Sequence, residues 1–289
     1  MKNNLNIVQL KRNGFLPQRQ KDLFSMRIGV TGGHVDAGQL KALADAAEKY
    51  GEGYVHITSR QGIEIPFIDL NDTDAVRCNM DDANIRAGVA GKRVRAVVAC
   101  QGDQVCNHGL IDCQTIAERL DNLYFGADVP YKFKIAITGC PSACLKPQEN
   151  DLGIMGTVHP KWSKDTCTEC GVCIKHCKAN AITRSGSTIR IDKDRCILCG
   201  DCILACKKDA LQAEKIGHTI FVGGKVGKFP REGTKLVELF ELEKVYDIVD
   251  RTLDLYCKHG REGERLGDVI DRIGIEKCKK GLCKNPHPN

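Results

Sequence analysis

The chain has 289 residues and a net charge of +6, enough length for two or three compact units and too little concentrated charge to make nucleic acid the default partner. No run approaches the twenty or so apolar residues of a membrane span, and the opening MKNNLNIVQLKRNG is polar and basic with no secretory apolar stretch. Seventeen cysteines, an odd count below the density of a disulfide scaffold, then point to free thiols in a cytoplasmic protein with no membrane span.

In chain order, Met26 to Val30 reads as a short strand. Leu40, Leu43, Ala44, Ala47 and Tyr50 recur at helical spacing, with Gly51 as the cap. Tyr54–Ile57 and Ile63–Phe67 read as two strands around Ser59-Arg60-Gln61-Gly62, and a polar stretch near Asp69–Asp74 precedes the next unit. A strand through Val94, Val97 and Val98 ends at Cys100. A helix carries Ile111, Ile116, Ala117, Leu120 and Leu123, and a strand from Tyr131 to Thr138 ends at Cys140. Strand, helix, strand of this length is a crossover between parallel strands, so Cys100 and Cys106 are expected to meet Cys140 and Cys144 at one sheet edge.

Residues 164–183 and 193–212 repeat one another, KDTCTECGVCIKHCKANAIT against KDRCILCGDCILACKKDALQ. Neither copy has much core, so metal clusters are expected to hold this insertion together. The apolar pattern resumes at Thr219–Val222. Two amphipathic helices follow, one through Val245, Ile248, Val249 and Leu253, the other through Leu266, Val269, Ile270 and Ile273.

Twelve cysteines fall into three quartets. The repeat carries C-x2-C-x2-C-x3-C twice, a spacing that holds iron–sulfur clusters with the fourth cysteine ligating the partner cluster. Cys167, Cys170, Cys173 and Cys206 are therefore assigned to one [4Fe–4S] centre, and Cys196, Cys199, Cys202 and Cys177 to the other. Zinc is the bland alternative, disfavoured by eight cysteines at a repeated spacing. Lys178 and Lys207 stand where a proline usually follows the fourth cysteine. The third quartet is looser, with C-x5-C at Cys100 and Cys106 and C-x3-C at Cys140 and Cys144. On pattern alone Lys132 and Lys134 read as a solvated strand face, although the small Ala136 and Thr138 that share it suggest close packing there. Arg60 reads as an exposed turn arginine.

VRAVVACQGDQVCNHG followed by VPYKFKIAITGCPSAC resembles the sirohaem and [4Fe–4S] site of the nitrite/sulfite reductase family, most of all the small ferredoxin-bearing catalytic subunit of the anaerobic sulfite reductases. HITSRQGIEIP resembles that family's arginine-bearing strand near the macrocycle, and FVGGKVGK and GREGERLGDVIDRIG resemble its C-terminal part. The resemblance implies that Cys100, Cys106, Cys140 and Cys144 hold a cubane and that the Cys144 sulfur also ligates sirohaem iron. It places Arg60, Arg95, Lys132 and Lys134 around a bound oxyanion, with Arg93 as a rival for the Arg95 position. Fixed cations suit charge building up on departing oxygens, and lysine can supply a proton. Ser142 stands where the family usually has asparagine, and the larger assimilatory enzymes hold two copies of this architecture against one here.

The expectation is an α+β fold: a ferredoxin-like half domain (1–90), a sirohaem/[4Fe–4S] α/β domain (91–160 and 215–289) and an inserted ferredoxin module with two [4Fe–4S] clusters (161–214). The expected function is six-electron reduction of sulfite to sulfide by an oxidoreductase carrying sirohaem and three [4Fe–4S] clusters. Reduction of nitrite to ammonia is the rival within that chemistry, and a multi-cluster electron carrier without sirohaem is the rival outside it. Gly29, Gly32 and Gly33 do not form G-x-G-x-x-G, and the glycines at 223–228 lack Walker spacing, so electrons are expected from a donor subunit or a soluble ferredoxin-like carrier. A homodimer or hetero-oligomer is expected from the single copy. Cys113 is expected in the core, Cys278 and Cys283 as surface thiols, Cys78 and Cys257 have no assigned role, and His108 and His176 are not taken as ligands.

Overall fold

The computed structural model describes residues 7–283; the ends of the first and last expected units, 1–6 and 284–289, lie outside the described residues. The first unit opens with α1 (Ile7–Arg12), β1 (Phe15–Pro17), β2 (Leu23–Ile28) and α2 (Ala37–Tyr50). It continues with β3 (His56–Ile57), β4 (Ile63–Asp69) and α3 (Thr73–Asp82). Its four strands form an antiparallel sheet in the order β1-β2-β4-β3. Alternation in β2 buries Phe24, Met26 and Ile28 against Leu43 and Ala47 of α2 and Val76 and Met80 of α3. Asp36 and Gln39 close a capping box at the start of α2.

Gly51 does follow α2, but not in the left-handed conformation of a helix-ending glycine: φ is −117°. It is glycine because a Cβ there would stand 2.8 Å from the Pro66 carbonyl oxygen. The expected strand Tyr54–Ile57 shrinks to two exposed residues at a sheet edge. The polar stretch near Asp69–Asp74 is a 3-10 turn over Leu70–Asp72 that leads into α3, which packs on the same core.

The second sheet has five strands in the order β11-β10-β7-β6-β5. They are β5 (Val98–Ala99), β6 (Ile135–Thr138), β7 (Leu152–Trp162), β10 (Leu211–Val222) and β11 (Thr234–Phe240). As expected, β5 and β6 are parallel and joined by a helix, α4 (Cys113–Tyr124). β6 and β7 are also parallel, while β7, β10 and β11 pair antiparallel. One face of this sheet is packed by α4, α7 (Leu242–His259), α8 (Leu266–Ile273) and α9 (Ile275–Leu282). Phe133, Ile135, Ile137, Ile116, Leu120, Val249, Tyr256 and Val269 form the centre of that core. Cys113 lies in it as expected. Cys278 does as well, which corrects the expectation of a surface thiol: α9 is amphipathic and turns that residue inward, while Cys283 stays exposed.

β7 and β10 are longer than the sheet requires. Their far ends pair, Leu211 against Trp162, and carry the repeat between them. There α5 (Val172–His176), β8 (Ile182–Ser185), β9 (Thr188–Ile191) and α6 (Asp201–Ala205) surround a small core of Ile182, Ile189, Cys202 and Leu211. The two larger units are joined through Asp121, which is 2 % exposed. Its carboxylate accepts from Thr31 Oγ1 at 2.7 Å and the Val97 amide at 2.9 Å, and it pairs with Arg86. No helix among the described residues is long and apolar enough to cross a membrane.

Candidate redox and oxyanion-binding site

A cavity of about 320 Å³ opens between the two sheets, lined by Arg27, Arg60, Arg95, Lys132, Lys134 and Phe125 among others. It gathers all four cations expected from the sequence. Residues 58–62 turn so that the Thr58 amide reaches the Gly62 carbonyl at 2.8 Å. Within this turn Gln61 caps the edge of β5, its amide exchanging bonds of 3.1 and 3.0 Å with the Ala99 main chain. That anchor folds Arg60 inward rather than leaving it exposed. Its guanidinium donates to Asn150 Oδ1 at 2.6 Å and to the carbonyls of Ala96 and Ile135 at 3.2 and 3.4 Å.

Arg95 donates to the Gly91 carbonyl at 3.0 Å, and its other terminal nitrogen, Nη1, is buried without a partner among the described residues. An unpaired buried donor on a guanidinium is a place for an anion. Arg93 is not the rival it looks in sequence: it points to Asp128 at 3.5 Å. Burial lowers both Arg60 and Arg95 to about 10, and both remain charged at neutral pH.

Lys132 and Lys134 are half-buried just before β6, which begins at Ile135 rather than at the expected Tyr131. Burial, then Arg60, Arg265 and Lys132, lower Lys134 to about 8. Beneath it lies Asp151, fully buried, which accepts the Lys134 amide at 2.9 Å and two bonds from Arg265 at 2.9 and 2.6 Å. Burial pushes the Asp151 carboxyl up while Arg265 and the amide pull it down.

Sequence reasoning missed Arg27, Asn150, Asp151 and Arg265. Arg27 had a faint signal, a cation on the face of β2 opposite Met26 and Ile28; it pairs with Glu64 at 2.7 Å.

The third quartet sits where parallel β5 and β6 end. The Gly139 amide donates to Cys100 Sγ at 3.0 Å, and Leu110 donates to the Gly139 carbonyl at 2.8 Å. The Cys106 loop therefore packs on the turn that carries Cys140. Glycine is needed for this approach: a Cβ on Gly109 would lie 2.4 Å from Gly102. Cys140 is buried and Cys144 exposed. Cys113, expected only as core, also lies 3.8 Å from Cys100 by sulfur–sulfur distance. That contact, with backbone amides, lowers the Cys100 thiol to about 6. The loop after Cys144 returns to the cation cavity, since the Lys146 carbonyl accepts from Asn150 Nδ2 at 3.1 Å and Asn150 in turn holds Arg60.

In the inserted unit the cysteines line two cavities. Cys167, Cys170, Cys173 and Cys206 line one cavity of about 180 Å³ with Trp162. Cys177, Cys196, Cys199 and Cys202 line a second. The Cys173 thiol lies within electrostatic reach of Cys206 and Cys170, and the Cys202 thiol within reach of Cys199, Cys196 and Cys177. Four thiols around a shared cavity are the donor set that a cluster takes.

Residues 90–287 match the Nitrite and sulphite reductase 4Fe-4S domain, and residues 16–80 the Nitrite/Sulfite reductase ferredoxin-like half domain. Coenzyme F420-dependent sulfite reductase of Methanocaldococcus jannaschii is 36% identical over 262 residues, 87% of this chain and 42% of that protein. An anaerobic sulfite reductase subunit of Salmonella typhimurium is 33% identical over 178 residues, 57% of this chain and 52% of that one. The chain thus spans about half the length, or less, of these two relatives. Dissimilatory sulfite reductase I shares the fold, with a TM-score of 0.77 at 20% identity, over 92% of this chain and 70% of its own. With one family domain matched across residues 90–287 and a second across 16–80, this chain belongs to the nitrite/sulfite reductase family.

Proposed function

We propose that the chain is the catalytic part of a sirohaem-dependent sulfite reductase, organised as a half domain (1–90), a catalytic domain (91–160 and 215–289) and an inserted ferredoxin module (161–214). The observation that carries this reading is the cavity in which Arg60, Arg95, Lys132 and Lys134 converge, with an unpaired donor on Arg95, joined through Asn150 to the loop of Cys140 and Cys144. Cys100, Cys106, Cys140 and Cys144 would hold a cubane, with Cys144, exposed as Cys106 also is, as the ligand shared with sirohaem. The two crossed quartets would hold the other two [4Fe–4S] clusters. When bound, sirohaem supplies the site at which six electrons reach sulfite.

The chain's own residues do the rest. Arg60 is held by three protein acceptors and presents a fixed positive charge to an oxyanion. Arg95 Nη1 offers it a hydrogen bond. Lys134, with a pKa of about 8, is protonated at pH 7 yet close enough to neutrality to release a proton from Nζ as oxygen leaves as water. Six electrons and six protons convert hydrogensulfite to the hydrosulfide ion and three waters. The electrons come from a donor subunit or soluble carrier in the cytoplasm.

The test is a visible spectrum of the anaerobically purified protein followed by viologen-linked turnover with sulfite and, separately, nitrite. The expected result is a red-region chlorin band, about thirteen irons per chain on a three-cubane count, and faster reduction of sulfite. No chlorin band and about twelve irons would leave an electron carrier, and a preference for nitrite would make the protein a nitrite reductase.

A further inference from the structure

The sequence repeat makes the two cysteine sets of the inserted unit look equivalent, but among the described residues it is the Cys196–Cys202 loop that meets β7 and the His108–Leu110 segment. The Val158 amide of β7 donates to the Leu198 carbonyl at 2.9 Å. Gly200, at φ +80°, can lie there because it has no Cβ; one would stand 2.9 Å from Val158 Cγ1 and 3.7 Å from Leu110 Cδ2. Asp201 Oδ1 lies 3.4 Å from His108 Nδ1. All three contacts leave the Cys196–Cys202 loop, and two of them land on the His108–Leu110 segment just after Cys106. Leu110 is the residue whose amide holds the Gly139 carbonyl beside Cys140.

The other loop is turned away. Cys170 is exposed, the Glu169 carbonyl accepts from Arg184 of the same unit at 2.9 Å, and Trp162, Lys207 and Lys208 line the cavity of that set.

We propose that the two sets are ordered: Cys177, Cys196, Cys199 and Cys202 form the inner electron station, facing the Cys100–Cys144 quartet. Cys167, Cys170, Cys173 and Cys206 form the outer station, at which the donor delivers. This rests on the reading that the quartets hold clusters. Electron tunnelling falls exponentially with distance, and the inner set has the short protein path. Asp201 adjoins Cys202, and His108 is two residues from Cys106, steps of about 3.8 Å each between Cα atoms. One electron leaves a reduced one-electron carrier, protein or viologen, which is oxidised by one. It then passes from outer to inner set and on to the quartet, each transfer moving one electron and no bond or proton.

The test uses the full chain, purified anaerobically, reduced with dithionite and read by EPR. Spin–spin splitting between the quartet's centre and its nearer neighbour is expected to be lost in Cys199→Ala and retained in Cys170→Ala. With the other ferredoxin-type signal intact in each variant, the reverse pattern overturns the order. If either replacement removes both ferredoxin-type signals, Asp201→Lys decides, because it keeps every cysteine. The potential of the split signal must then rise relative to the unsplit one, and a rise confined to the unsplit signal overturns the proposal. Neither readout needs turnover. A protein with this pattern and no chlorin band sinks the reductase reading alone, and one with the band and the reverse pattern sinks this ordering alone.

Discussion

Lys134 is a cation placed among cations. Burial lowers it first, then Arg60, Arg265 and Lys132, to about 8, so the ammonium form dominates at pH 7 and is lost as pH rises through that value. A bound oxyanion favours the charged form and moves the midpoint upward. Sulfite turnover with saturating donor is therefore expected to fall on the alkaline side with a midpoint at or above about 8. Lys134→Arg, which stays charged, should remove that limb at a lower rate overall; a wild-type profile flat to high alkalinity would exclude the role. The neighbouring Asp151–Arg265 pair makes a stability prediction. Asp151 is 0 % exposed and its partner lies 114 residues away. Arg265→Met leaves that carboxylate buried without its counter-ion, at a cost of about 3–5 kcal/mol, whereas the double replacement with Asp151→Leu should recover most of it. Urea denaturation midpoints compare the two, and equal losses would mean that the pair is not the cause. These residues also mark what sequence can show at this scale. The family resemblance singles out Lys132, Lys134 and Arg60, whereas the alternation of Tyr131–Thr138 by itself reads the two lysines as a solvated face beside small residues. Arg27, Asn150, Asp151 and Arg265 acquire meaning only from partners brought in by the fold, and local pattern contains little trace of them.

At the scale of elements, the crossover from β5 through α4 to β6 is legible because its apolar periods are regular and its ends are marked by cysteine. The doubled cysteine spacing likewise suggests the same sets of four that line the two cavities of the inserted unit. β7 is not legible. Its sequence LGIMGTVHP has two glycines, which strand propensity counts against it. Both are there for close approach rather than for conformation: a Cβ on Gly153 would stand 2.2 Å from the Pro147 carbonyl oxygen, and one on Gly156 would stand 2.3 Å from that of Gly139. The start of α3 reads only as a polar stretch because its exposed face is so polar, and α9 reads as no more than a pair of surface thiols. Gly156 yields the prediction proper to this scale. Gly156→Ala pushes on the Gly139 carbonyl, and through it on the Leu110 amide and the Cys140 turn. The expected outcome is a chain that folds and loads the two crossed quartets but loses about four irons from the third, measured as iron and acid-labile sulfide per chain. Loss from the inserted unit instead would show that the contact does not support the Cys140 turn.

For the whole molecule the question is how one copy of this architecture could enclose the proposed sirohaem. The cation cavity holds about 320 Å³, at the low end for a site that buries a drug-sized ligand, and a macrocycle with many carboxylates is larger than that. On the proposed function, a surface from a second copy or another subunit is expected to complete the enclosure. The matched stretch covers 42% of one named relative and 52% of the other, which leaves parts of each without a counterpart in the match. Association and catalysis should therefore be linked. Sedimentation velocity across a dilution series, run beside turnover at the same concentrations, is expected to show specific activity falling as the assembled fraction falls. The chlorin band should weaken in the same range as pigment becomes exposed and dissociates. Full specific activity in a species sedimenting at the 31.8 kDa of one chain would show that a single copy encloses the site alone, and the cavity would then have to widen on binding.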